Sequence, residues 1–101
     1  MKKLPKSGAL HYSFGLHLVR QQQLIKAIKY FEKSMKLTPS NSQYAYTYIL
    51  AHDGLGNSRN ALAQLKALIV SYQDKTQLKE LGLYLSQKLQ SKADYDWFIK
   101  F

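Results

Sequence analysis

Laid against itself with a shift of 34 residues, the chain brings like residues together at the positions that decide how helices pack. Ala27 meets Ala61, Phe31 meets Leu65, Leu16 and Val19 meet Leu50 and Asp53, and Leu24 and Leu37 meet Ser58 and Ser71. The two alanines, each followed one helical turn later by a bulky apolar residue, carry most of the signal. A period of this length belongs to a repeated helical hairpin, in which each unit covers the apolar face of its neighbour. The expected fold is therefore all-α, a stack of antiparallel helical hairpins. Such stacks recognise other proteins far more often than they catalyse reactions.

At 101 residues the chain holds one domain, of a length marginal for a self-sufficient core. Its 46% hydrophobic and 21% charged residues place it with globular rather than disordered chains. No apolar run approaches the roughly 20 residues that span a bilayer. Residues 1–6 have the positive charge of a signal peptide, but no apolar stretch follows. Without cysteine there is no disulfide, thiolate ligand or thiol nucleophile. The compartment stays open: cytoplasmic by default, periplasmic if the chain is a fragment of a longer secreted protein. Net charge is +9 and lopsided, because residues 1–37 carry eight Lys/Arg against Glu32 alone. A basic half attracts acidic peptides, nucleic acid or anionic surfaces, although lysines also simply solvate an outer helix face.

Helical spacing runs through the whole chain. Leu10, Phe14, His17 and Leu18 mark a first helix over about Gly8–Arg20, and Gln21–Gln23 makes a tight polar connection. The second, about Leu24–Leu37, sets Leu24, Ala27, Ile28, Phe31, Met35 and Leu37 against a solvated stripe of Lys26, Lys29, Lys33 and Lys36. Pro39 stops it, and Asn41 or Ser42 caps the next. The alternation of Tyr44, Tyr46 and Tyr48 would suit a strand. Continuation of the run to Leu55, and its place in the repeat, favour a helix. Gly56 suits a left-handed turn and Asn57 a cap for a fourth helix, about Ser58–Tyr72. Asp74 and Gln77 open a fifth through Leu78, Leu81, Leu85 and Leu89, and Ser91 and Asp94 repeat that spacing before an aromatic tail.

These residues resemble the tetratricopeptide repeat. The likeness rests on Phe14-Gly15, Ala27, Phe31, Ser34 and Pro39 in one unit, and on Gly56, Ala61 and Leu65 in the next. Leu81-Gly82 opens a third unit before the pattern fades. Tyr48-Ile49 and Gln73 depart from the pattern, standing where the family has a Leu-Gly pair and an exit proline. The resemblance implies a domain over 8–91, with repeats over about 8–41 and 42–74 and a capping helix over about 75–91. A basic extension would precede it at 1–7, and an aromatic segment, 92–101, would pack on the cap. Similar repeats often form parts of larger bacterial proteins, so an excised piece of a longer protein is an open alternative.

The family binds peptides in a concave groove lined by the first helix of each hairpin. Carried over, the groove residues are Tyr12, Leu16, Val19, Arg20, Tyr46, Leu50, Asp53, Tyr84 and Lys88. Tyrosines would give contact area and a hydroxyl, and Arg20 would hold a carboxylate. Tyr12 and Tyr46 replace the asparagines of the carboxylate-clamp type, so capture of a chaperone tail is not expected. The expected function is a scaffold for a protein or peptide partner, acidic ones included. The alternative is an assembly module that forms a homodimer through Trp97, Phe98 and Phe101. Nucleic-acid binding is disfavoured, because the lysine stripe lacks interleaved aromatics and any recognised motif. No cofactor, metal site or enzyme is expected: His11, His17 and His52 fit no metal-ligand spacing, and no phosphate loop or nucleophile elbow occurs.

Overall fold

The computed structural model describes residues 6–101; most of the basic extension read at 1–7 lies outside them. Six helices follow in order: α1 (Gly8–Arg20), α2 (Leu24–Leu37), α3 (Ser42–Gly54), α4 (Ser58–Ile69), α5 (Thr76–Lys88) and α6 (Lys92–Ile99). The described residues contain no strand, and Tyr44, Tyr46 and Tyr48 all lie within α3.

Local chemistry accounts for most boundaries. The Asn41 side chain accepts from the amides of Gln43 and Tyr44 at 3.0 and 3.3 Å, satisfying two of the free N–H groups that open α3. Ser91 accepts from the Asp94 amide at 3.3 Å while its hydroxyl donates to the Asp94 carboxylate at 2.7 Å, closing the start of α6. Asn57, by contrast, makes no side-chain cap. Its backbone, at φ −97° and ψ 48°, departs from the extended shape a capping residue usually holds. α4 also stops at Ile69, short of Tyr72, because i→i−3 bonds from Ser71 to Leu68 and Tyr72 to Ile69 tighten the chain. That turn carries the Tyr72 ring into the core.

Three connections share one geometry. Gln22, Gly56 and Gln90, spaced 34 residues apart, hold φ of +59°, +86° and +55°. In each, the following amide reaches back into the preceding helix: Gln23 to Leu18 at 2.8 Å, Asn57 to His52 at 3.1 Å, Ser91 to Ser86 at 2.8 Å. The left-handed residue itself donates to Val19, Asp53 or Gln87 at 2.9–3.0 Å. This is the Schellman pattern, three times over. It folds α1 onto α2, α3 onto α4 and α5 onto α6.

Within the outer hairpins a phenylalanine fills the space that a glycine leaves. A Cβ on Gly15 would lie 2.5 Å from the Phe31 ring, and one on Gly82 would strike the ring of Phe98. Phe31 and Phe98 are both fully buried. In the middle hairpin Ile49 and Leu65, equally buried, take the corresponding places. The hairpins lie in series, α2 packing on α3, α4 on α5 and α3 on α5. Extents of 47 × 28 × 16 Å describe an elongated row of hairpins rather than a round bundle. One core runs along it, from Leu18, Ala27 and Phe31 through Ile49, Ala61 and Leu65 to Leu78, Leu85 and Phe98.

Candidate surface on the first helices

α1, α3 and α5, the first helices of the three hairpins, touch one another sideways. The Tyr12 hydroxyl meets the Thr47 hydroxyl at 3.0 Å, and its ring lies 4.7 Å from that of Tyr44. Farther along, Lys88 on α5 donates to the Asp53 carboxylate on α3 at 2.8 Å, and Ser58 donates to the same oxygen at 2.5 Å. Burial of Asp53 works to raise its pKa, but the hydrogen bonds from Lys88 and Ser58 outweigh it and hold the carboxyl below its usual range. The same bond raises the pKa of Lys88.

The nine residues read as a groove fall into three groups. Leu16, Leu50 and Tyr84 stand at one register, each the same distance ahead of its left-handed turn residue. Leu16 is half-buried, while Leu50 and Tyr84 are 40% and 49% exposed. With the exposed Val19 they form a broken apolar strip across three helices. Arg20 is exposed and makes no ion pair among the described residues. Lys88 carries its charge beside Tyr84, with Nζ 5.9 Å from the ring centre. The third group serves the fold: Tyr12 is wedged between α1 and α3, Tyr46 is half-buried against the core, and Asp53 is buried and doubly hydrogen-bonded. In Asp53, read from the sequence as a groove residue, Oδ1 is engaged by Lys88 and Ser58.

A second polar group lies where α2, α3 and α4 meet. Tyr48 donates to Glu32 at 3.4 Å, and His52 packs edge-on against Tyr48 at 4.8 Å. Both ring nitrogens of His52 are buried without a hydrogen-bond partner. Burial lowers the His52 pKa, with Glu32 opposing, and it raises that of Tyr48. His52 takes the repeat position of Leu18 and Ser86, both buried, while His17, one place earlier in its own repeat, is exposed.

Lys26, Lys29, Lys33 and Lys36 are all exposed along α2, with only Glu32 in reach of Lys36, at 3.7 Å. At the other end, Lys66 on α4 bonds Asp94 on α6 at 2.8 Å and sits 5.2 Å from the centre of the Trp97 ring. Trp97 is half-buried, with Phe98 and Phe101 edge-on at 4.9 and 4.8 Å. Phe98 is closed inside its own chain and offers nothing to a homodimer surface, which corrects the trio named from the sequence. Among the described residues no helix is long and apolar enough to cross a membrane, and no group of three or more His, Asp or Glu converges as a metal site. Comparisons with family models, with curated proteins and with solved structures returned no match.

Proposed function

We propose that this chain is a tetratricopeptide-like interaction module that holds a peptide or protein segment across α1, α3 and α5. The observation that carries the reading is the row formed by Leu16, Leu50 and Tyr84, one side chain per hairpin at a common register and partly open to solvent. An extended ligand laid across three parallel helices meets such a row once per hairpin. Val19 widens the apolar contact and Arg20 supplies an unpaired cation at its edge. The bond between Asp53 and Lys88 helps fix the spacing of α3 and α5 before any ligand arrives, which lowers the entropy lost on binding.

The test is a peptide-display selection on the immobilised full chain, followed by affinity measurements with Leu50→Glu and Arg20→Ala. Selected peptides should bind Leu50→Glu and Arg20→Ala at least about tenfold more weakly, a loss of about 1.4 kcal/mol. Undiminished capture by both Leu50→Glu and Arg20→Ala would defeat the proposal.

A further inference from the structure

We infer that the outer face of the first hairpin is a docking site for an amphipathic helix with an acidic rim, supplied by another protein. The three turns give a common ruler. Counting back equally from Gln22, Gly56 and Gln90, Leu10 corresponds to Tyr44 and Leu78, and Phe14 corresponds to Tyr48 and Gly82. In the second hairpin these positions are turned toward the hairpin before, and in the third Leu78 is buried while Gly82 is covered by Phe98 of its own hairpin. Tyr48 is 6% exposed and Leu78 is 0%, and Tyr44 lies against Tyr12 of α1. In the first hairpin, Leu10 is 47% exposed and Phe14 is 38%. Each of these residues is thus a seat that elsewhere in the same molecule is filled by helices.

The neighbouring residues on α2 extend the seat. The Tyr30 ring lies 4.6 Å from that of Phe14, and Leu37 is exposed on the same helix. Lys26 and Lys33 stand four residues before and three after Tyr30, which puts them beside it on one face. α1 has no acidic residue, and the one on α2, Glu32, turns to Tyr48 and Lys36. The face is therefore apolar at its centre and cationic at its rim.

These two properties choose the occupant. What fills the equivalent seats is helical, so the complementary shape is a helix with apolar residues at i, i+3, i+4 and i+7. Lysine on the rim selects acidic flanks on that helix. A second copy of this chain fits poorly, because the whole chain carries +9. Like charge would then meet like charge.

The full chain should be titrated with two labelled synthetic helical peptides that share one leucine stripe and carry glutamate or lysine on the flanks. Fluorescence anisotropy should report binding of the glutamate peptide at least about tenfold tighter than the lysine peptide, an advantage that shrinks with added salt. The Lys26→Glu/Lys33→Glu and Leu10→Ser/Phe14→Ser variants should each lose about tenfold or more, with circular dichroism checking that both remain folded. Leu50→Glu, on the other surface, should bind this peptide as well as the wild type does. Equal affinity for the two peptides, no binding of either, or full retention by Lys26→Glu/Lys33→Glu would overturn the inference. So would self-association in sedimentation that Leu10→Ser/Phe14→Ser disperses, since the occupant would then be a second copy.

Discussion

Phe98 lies over Gly82 as Phe31 lies over Gly15, each ring following its glycine by 16 residues and filling the space a Cβ would need. The contact locks α5 to α6 and α1 to α2. Truncating either ring removes a fully buried side chain, so Phe98→Ala and Phe31→Ala should each cost about 3–5 kcal/mol. Gly15→Ala, which forces a methyl into the Phe31 ring, should cost about 1–3 kcal/mol by overpacking. Urea denaturation monitored by circular dichroism measures all three. A cost below about 0.5 kcal/mol for Gly15→Ala would show that the ring moves aside freely.

The left-handed turns allow a test with opposite signs. An L side chain in this conformation costs roughly 1 kcal/mol, and glycine removes that strain. Gln22→Gly and Gln90→Gly should therefore stabilise the fold by about 0.5–1 kcal/mol, whereas Gly56→Gln should destabilise it by about 1 kcal/mol. Thermal melts of the three single variants decide the matter.

Asp53 and Lys88 join α3 to α5, and a double-mutant cycle isolates their coupling. Asp53→Ala should cost about 1–3 kcal/mol, since Ser58 loses its acceptor as well. Lys88→Ala, at an exposed site, should cost less. Because the Asp53 pKa is lowered in the fold, its contribution is complete above the ordinary carboxylate range and fades as pH falls through the folded value. The Lys88 pKa is raised, so its share holds below the ordinary lysine range and is lost only as pH rises through the folded value. Between those limits this pair leaves stability flat.

His52 makes the acid limb steeper at a milder pH. Its pKa is lowered by burial, so the unfolded chain takes up the proton first and stability falls as pH drops below about 6.5. His52→Leu deletes two buried nitrogens that lack partners and should be neutral or stabilising at pH 7. It should also flatten the stability profile between about pH 7 and 5. If the slope there is unchanged in His52→Leu, the titrating group lies elsewhere.

How much of this was legible depended on whether a residue's own chemistry announced its role. Gly56, Asn41 and the Ser91–Asp94 pair did so: glycine favours positive φ, and short polar side chains cap helices. Gln22 and Gln90 did not, because glutamine has no preference for that conformation; the backbone bonds of the turn hold it, and only their 34-residue offset from Gly56 betrays it. The partnership of Phe98 with Gly82 was present in the spacing of Phe31 and Gly15, but fading similarity in the third unit hid it. On the candidate surface, the common spacing of Leu16, Leu50 and Tyr84 from the turns is legible in the sequence, whereas the engagement of Asp53 depends on Ser58 and Lys88, contacts that a one-dimensional pattern does not contain.

Because each hairpin closes through its own self-contained turn, the molecule has natural seams at 34-residue intervals. Excising one whole period leaves every remaining turn chemically intact and joins an outgoing helix to an incoming one of the same kind. Lengthening or shortening of such a chain by complete modules is therefore open to evolution and to the protein engineer, while a loss of ten or twenty residues would sever a helix from its mate.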